Sequence, residues 1–168
     1  MRTLYLVSVW LHILAATVWI GGMAFLVLVL VPWLRSGNRA QAGTFLRETG
    51  QRFRNVGWIC FGIVLITGTF NLWIRGVRLS DFGRTAWLSS AFGQTVLLKL
   101  GTFALVLLVS SVHDFSVGPR ASTAIARDPQ SPEAHTLRRR ASLLGRVNVV
   151  LALVLVAAGV MLVRGALW

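Results

Sequence analysis

Residues 3–34, TLYLVSVWLHILAATVWIGGMAFLVLVLVPWL, contain no Asp, Glu, Lys or Arg over 32 consecutive positions. About 20 predominantly apolar residues are enough for a helix to cross the hydrocarbon core of a bilayer. The run is also about twice as long as the apolar part of a signal peptide, so we interpret it as an uncleaved, tilted helix. It predicts an integral membrane protein.

Three more apolar runs follow, at residues 55–74, 85–113 and 147–163, and a single charged side chain, Lys99, interrupts them. We expect each run to be helical, because backbone groups in lipid must satisfy their own hydrogen bonds and no run alternates apolar and polar residues. The predicted fold is all-α: an integral membrane four-helix transmembrane bundle, in one domain covering residues 1–168. The expected spans are about 4–34, 54–75, 92–115 and 143–165.

The segment between the third and fourth spans is polar and contains Pro119, Pro129 and Pro132. We expect residues 116–132 to form a loop. Ser131 followed by Pro132 and Glu133 is typical of a helix start, so the fourth helix is expected to begin there, outside the membrane.

Composition narrows the class of protein further. Apolar residues make up 55% of the chain and charged residues only 13%, although the formal net charge is +12. A chain this basic could bind nucleic acid, but a soluble nucleic-acid-binding domain does not carry apolar runs of this length. We therefore expect the chain to lie in the lipid bilayer. Cys60 is the only cysteine, which excludes a disulfide framework.

The distribution of arginine predicts the orientation. Ten arginines fall in the connections that follow the first and third spans, loops one and three, and five fall on the other side of the membrane. By the positive-inside rule, loops one and three lie in the cytoplasm and both termini lie outside, in the inner (plasma) membrane. The arginines of loops one and three are Arg35, Arg39, Arg47, Arg52, Arg54, Arg120, Arg127, Arg138, Arg139 and Arg140.

Few ionisable side chains lie at membrane depth, where each costs at least about 2.5–3.5 kcal/mol near the centre. His12 and Lys99 lie about two turns into the first and third spans from the same side, so the two side chains could meet. His113 lies at the opposite end of the third span. At about 100° per residue, one face of the third helix forms a polar stripe that is expected to face the bundle. The stripe consists of Thr95, Lys99, Thr102, Ser110 and His113.

Each of these features also has a purely structural interpretation. His12 could simply form a hydrogen bond between helices, and Lys99 could extend its ammonium to the headgroups. Ala15, Ala16 and Gly22, which share a face with His12, are also typical of plain helix packing. His113 could be no more than part of a polar helix end.

The alternative is a functional site for haem b. A histidine within a span, with small residues beside it and arginines at the nearer surface, suits a non-covalent haem with His12 as axial ligand. In this interpretation Trp19 lines the pocket, Asn71 supports it, and Lys99 is an electrostatic partner or, as the neutral amine, a second ligand. Arg75 and Arg78 would bind the propionates. His113 lies at a different depth and would belong to a second site. Two alternatives therefore remain: a five-coordinate iron at His12, or two separate sites.

Four stretches, one in each span or at its end, carry a resemblance to a known family. They are WLHILAATVWIGG at residues 10–22, FGQTVLLKL at 92–100, VHDF at 112–115 and GRVN at 145–148. In order, they resemble the membrane domain of the copper-resistance D (CopD) family. The pattern is also similar, more distantly, to HemJ-type protoporphyrinogen oxidases.

The two resemblances imply different functions. The CopD family is associated with copper uptake, which implies copper transport or tolerance, and Cys60, Met23 and Met161 are soft copper(I) ligands within the spans. HemJ-type proteins imply a haem-dependent membrane oxidoreductase with a quinone or redox partner. His12 and Lys99 match the HemJ first-span histidine and third-span lysine, whereas the R-x-x-N-E motif is matched only in part. A structural subunit is the third alternative, and the small-residue faces permit a homodimer.

Overall fold

The computed structural model describes the backbone of residues 1–35 and 39–165, and the side chains of residues 1–33 and 48–165. The side chains of Arg35, Arg39 and Arg47, which contribute to the orientation prediction, lie outside the described residues.

Helices account for nearly all of the described chain. Four are long and apolar enough to cross a membrane, within Arg2–Trp33, Glu48–Ile74, Ala91–Arg127 and Pro132–Arg164, and the described residues contain no strand. The prediction of an all-α, four-helix membrane fold is therefore confirmed. In chain order the α-helices are α1 (Arg2–Phe25), α2 (Val31–Arg35), α3 (Arg39–Ile74), α4 (Thr85–Leu88), α5 (Ala91–Val112), α6 (Gly118–Arg127) and α7 (Pro132–Arg164).

Two π-helical turns interrupt the spanning helices. Leu26–Leu30 joins α1 to α2, and His113–Val117 joins α5 to α6, so that each pair runs on as one helical rod. A 3₁₀ turn, Leu79–Gly83, lies between α3 and α4. We refer to the connection at residues 75–90 as the loop-two end of the bundle, and to residues 113–132 as the loop-three end.

The spanning helices pack as two pairs. α1 lies along α3, and α5 lies along α7. Aromatic side chains connect the pairs: the Phe61 ring on α3 lies 5.0 Å from Trp19 on α1 and 6.1 Å from Phe103 on α5, between ring centroids. Many large apolar side chains on the outer surface are exposed, as expected for helices surrounded by lipid.

The polar stripe on α5 faces the interior. Thr95, Thr102 and Ser110 are all buried. Asn148 on α7 donates from Nδ2 to Ser110 Oγ at 2.9 Å, which ties α7 to α5 inside the bundle.

The prediction of a loop over residues 116–132 is wrong for most of its length, because Gly118–Arg127 forms α6. Pro119 lies in the first turn of that helix, directly after the π-helical turn His113–Val117, where the hydrogen-bond pattern of the rod already changes. The helix start at Pro132 is as predicted, and Ser131 Oγ accepts a hydrogen bond from the Ala134 amide at 3.2 Å.

Candidate functional site

His12 is held against α3 by a hydrogen bond that fixes its ring. Its Nδ1 lies 2.9 Å from Thr67 Oγ1. The Thr67 hydroxyl in turn donates to the Ile63 carbonyl at 2.6 Å, one turn back along α3. Because the single hydroxyl proton is used in that bond, the Thr67 oxygen must accept, and Nδ1 of His12 must donate.

This assignment of the proton determines what His12 can do chemically. With the proton on Nδ1, the lone pair of the neutral imidazole is on Nε2. Apart from the bond to Thr67, the ring interacts with the backbone carbonyl of Val64 on α3. A histidine that donates through one nitrogen to an oxygen acceptor, and keeps the other nitrogen free, is the usual arrangement of a metal-binding imidazole. The structural alternative, a hydrogen bond between helices, accounts for the Nδ1 contact but gives no role to Nε2.

The close approach of α1 and α3 at this level depends on small residues. A Cβ added to Gly68 would lie 3.2 Å from Cε1 of His12, so the absence of a side chain at 68 lets the ring lie against α3. Ser8, one turn before His12, is buried and donates to the Thr67 carbonyl at 3.4 Å. The edge of the ring that carries Nδ1 is therefore enclosed by α3.

The other two spanning helices reach the same level from the opposite side. Lys99 on α5 lies within electrostatic range of the His12 ring and of the Arg75 guanidinium. Its Nζ lies 3.7 Å from the position that a Cβ would take on Gly159 of α7. All four spanning helices thus contribute to one polar site, in the half of the bundle nearer the loop-two end, and His12 and Lys99 are brought together as the sequence suggested.

Asn71 lies one turn beyond Thr67 on α3, and Arg75 follows directly after that helix ends at Ile74. Asn71 Oδ1 is buried and has no hydrogen-bond partner among the described residues. Arg75 donates to the Leu162 carbonyl of α7 at 3.1 Å. Asn71 therefore offers an unpaired acceptor near the site, while Arg75 is partly engaged in joining α3 to α7.

The structure places the other predicted site residues farther away. Trp19 packs in the apolar core against Phe61, about two turns along α1 from His12. Arg78 donates to the Trp73 carbonyl at 2.7 Å and the Val77 carbonyl at 3.1 Å, in the loop-two connection.

His113 belongs to a separate polar group at the loop-three end. Its Nδ1 lies 2.9 Å from Asp114 Oδ1, and Asp114 Oδ2 accepts from Trp58 Nε1 at 3.0 Å. Arg54 donates to the Asp114 carbonyl at 3.4 Å. Trp58 and Thr67 are nine residues apart on α3, so the two histidines lie about 14 Å apart along the bundle. They are too far apart to share one metal ion.

Soft sulfur ligands lie away from His12. Cys60 lies between the two histidine levels, and Met23, eleven residues along α1 from His12, lies near the level of His113. Both are buried in the apolar core that also contains Trp19 and Phe61. Among the described residues, no group of three or more His, Cys, Asp or Glu side chains is placed to hold a metal ion. The candidate site therefore offers one oriented imidazole, with sulfur atoms deeper in the core, rather than a closed cage of ligands.

Sequence reasoning missed Thr67 as the partner of His12, and Trp58 as a partner of Asp114. Thr67 was recognisable as a polar residue on the same face of α3 as Asn71. The register of α1 against α3, however, depends on packing at positions such as Gly68, and no motif in either helix encodes it.

The fold and the site define a class: a multi-pass membrane protein whose four spanning helices meet at a polar site around His12 and Lys99. The chain belongs to the copper resistance protein D family (CopD), whose model matches residues 47–162. Thr67, Asn71, Lys99 and His113 lie inside the matched range, and α1 with His12 precedes it.

Individual relatives extend this result to most of the chain. A protein of Aquifex aeolicus (strain VF5), described only as "Uncharacterized protein", is 31% identical over 161 residues, which cover 95% of this chain and 94% of that protein. "Copper transport protein CutJ" of Bacillus subtilis (strain 168) is 29% identical over 126 residues, covering 75% of this chain and 22% of that protein. "Copper resistance protein D" of Pseudomonas syringae pv. tomato is 26% identical over 146 residues, covering 86% of this chain and 45% of that protein. No solved structure matches the chain.

Proposed function

We propose that this protein handles copper ions within the membrane, as a transport or tolerance protein, and that His12 is a copper ligand. The observation that carries the proposal is the hydrogen bond from His12 Nδ1 to Thr67, which leaves the lone pair of the neutral imidazole on Nε2. Imidazole nitrogen suits copper, and thiol and thioether sulfur favour copper(I). The family and the names of two relatives support the choice of metal.

The order of ligands along the bundle suggests how copper would be handled. An ion at His12 lies in the half of the membrane nearer the loop-two end. Cys60 lies deeper, and Met23 and His113 lie toward the other end, His113 beside Asp114. We propose that copper(I) moves between single ligands of this kind. A closed cage of several ligands would hold the ion too firmly for transfer.

Copper binding by matched histidine variants tests the proposal. In mild detergent, His12→Ala is expected to lose most of the copper(I) that the wild-type chain takes from a competing chelator. His135→Ala is the control, because His135 is exposed on α7 outside the site. Uptake of copper into proteoliposomes then distinguishes transport from binding alone. Equal copper retention by His12→Ala and the wild type would refute the role of His12.

One observation also favours the haem b alternative. The lone pair on Nε2 also suits haem iron, and Lys99 lies within electrostatic range of the same ring. Bound haem would supply one-electron redox chemistry, with a quinone or a redox protein as partner. Against it, the predicted propionate ligands Arg75 and Arg78 already donate to backbone carbonyls. Two cavities lined by α6 and α7 lie away from His12, at the loop-three end.

The visible spectrum of the purified protein separates the two metals. A Soret band that disappears in His12→Ala would establish haem at this site. A colourless protein that holds stoichiometric copper would eliminate the haem alternative. Neither colour nor copper, together with a stably bound partner, would indicate a structural subunit.

We also propose that the protein lies in the inner (plasma) membrane with both termini outside the cytoplasm. The arginine distribution supports this orientation. It would place the site of His12 and Lys99 near the outer face, where copper would reach His12 before His113.

A further inference from the structure

The loop-three end carries a groove that the copper proposal does not use. It lies between α6 and the first turns of α7, and consists of two adjoining cavities of about 410 and 260 Å³ that share Arg120 and Glu133. We call it the α6–α7 groove. Its lining residues are Pro119, Arg120, Thr123, Ala124, Arg127, Pro132, Glu133, Thr136, Leu137 and Arg140.

Small residues explain why the groove forms. Ala121 and Ala124 on α6 and Ala134 on α7 are buried, which lets the two helices pack closely at this point. The long side chains on either side of the contact then project beyond it and form the walls. On α6, Ala121 and Ala124 are buried, whereas Arg120 and Arg127 beside them are exposed.

The charge of the groove is positive. Arg120, Arg127 and Arg140 line it, against one carboxylate, Glu133. In the described part of the chain the ion pairs within 4.0 Å are Arg84–Asp81 and His113–Asp114, so these three arginines are not neutralised by a protein carboxylate. Guanidinium groups bind phosphate oxygens through paired hydrogen bonds, which makes a phosphate group the best chemical fit.

The depth of the groove identifies the source of the phosphate. α6 continues from α5 through the π-helical turn, and Arg120 follows His113 by seven residues. Arg140 precedes the exposed Leu143, at the start of the apolar part of α7, by three residues. At about 1.5 Å per residue, the two arginines lie roughly 5–10 Å beyond the hydrocarbon edge. This is the level of lipid headgroups, which occupy about 5–8 Å on each side of the hydrocarbon core.

We propose that the α6–α7 groove binds the headgroup of an anionic phospholipid, with Arg120 and Arg140 on the phosphate. Leu143, 59% exposed on α7 and three residues nearer the hydrocarbon than Arg140, offers apolar surface for the acyl chains below. A zwitterionic lipid is disfavoured, because its ammonium group would enter a site that is already cationic. Basic pockets beside spanning helices are a recognised way of holding such lipids.

Native mass spectrometry of the protein in detergent, with an equimolar mixture of phosphatidylglycerol and phosphatidylcholine, tests this proposal. The wild type is expected to retain phosphatidylglycerol selectively. The double variant Arg120→Gln, Arg140→Gln is expected to reduce that retention by at least about tenfold. Arg138→Gln, Arg139→Gln is the matched control, because it removes two exposed arginines of the same helix that do not line the groove.

Two further arms keep the test decisive. Glu133→Gln removes the one negative charge of the groove and is expected to increase retention, which gives a result even if the double arginine variant does not fold. Inorganic phosphate is added as a competitor. If it displaces the lipid at millimolar concentration and binds equally well alone, the ligand is a free anion and the lipid proposal is wrong. Equal retention of both lipids, or equal loss in the control variant, would also overturn it.

Discussion

The orientation of His12 depends on one hydroxyl group, that of Thr67. Thr67→Val keeps the shape of the side chain but removes the acceptor for Nδ1 and the donor to the Ile63 carbonyl. A lost partner of this kind typically lowers metal affinity by about 10–100-fold, and we expect a loss in this range for copper(I), measured by competition with a chelator.

Thr69→Val is the matched control for this prediction. Thr69 lies on the same helix and donates to the Leu65 carbonyl at 2.8 Å, but it is exposed and faces away from His12. We expect this variant to bind copper as the wild type does. An equal loss in the two threonine variants, or none in either, would mean that the hydrogen bond does not prepare His12 for a metal.

Lys99, unlike Thr67, is expected to weaken the binding of a cation at His12. Its ammonium lies within electrostatic range of His12 and Arg75, and the four predicted spans contain one carboxylate, Asp114, at the far end. Lys99→Met removes a like charge and should tighten copper(I) binding by about tenfold, or ~1.4 kcal/mol. Lys99→Arg, which keeps the charge, should leave the affinity near that of the wild type. If Lys99→Met instead loses copper, the lysine is a ligand.

At the scale of helices, the pairing of α5 with α7 includes a buried polar contact. Asn148 donates to Ser110 at 2.9 Å inside the bundle. Because hydrogen bonds between membrane helices contribute about 0.6 kcal/mol on average and up to about 1.7, we expect Ser110→Ala to lower the free energy of unfolding by this amount. The measurement is equilibrium unfolding in mixed micelles.

Ser111→Ala provides the comparison for Ser110→Ala. Ser111 donates to the Leu107 carbonyl of its own helix at 2.7 Å and forms no contact of this kind with α7. Its replacement should change the stability by less than that of Ser110. The same destabilisation in both variants would show that the contact between α5 and α7 contributes nothing specific.

The helices themselves were largely predictable, and the reason is physical. An uncharged run longer than a bilayer is thick has few alternatives to a helix, so the four spans follow from residues 3–34 and the three later runs. The stripe on α5 followed from its spacing, and Thr95, Thr102 and Ser110 are buried as expected.

Outside the apolar runs, prediction was less successful. Three prolines suggested a loop at 116–132, yet Pro119 is accommodated at the start of α6, directly after the π-helical turn. The partners of His12 and Asp114 depend on the relative register of different helices. Local sequence carries no information on that register, so these contacts appear only in the folded bundle.

At the scale of the whole molecule, the charges are segregated by position rather than paired. Arginines dominate the ends of the bundle, and Lys99 is the one basic side chain well inside a span. The α6–α7 region that holds the groove also carries five of the ten arginines that set the predicted orientation: Arg120, Arg127, Arg138, Arg139 and Arg140. One basic surface can thus fix the topology and bind anionic lipid, because both depend on the same attraction between arginine and the phosphate layer.

The orientation can be tested with single cysteines, since the native Cys60 is buried and should not react with a membrane-impermeant maleimide. Ser80 and Gln130 are exposed in the loop-two and loop-three connections, respectively. In right-side-out vesicles we expect Ser80→Cys to be labelled and Gln130→Cys to be protected, and inside-out vesicles should give the reverse. The wild-type chain is the blank, and permeabilised vesicles should label both variants. Labelling of Gln130→Cys alone in right-side-out vesicles would invert the topology and place His12 nearer the cytoplasm, so that copper would reach His113 first from outside.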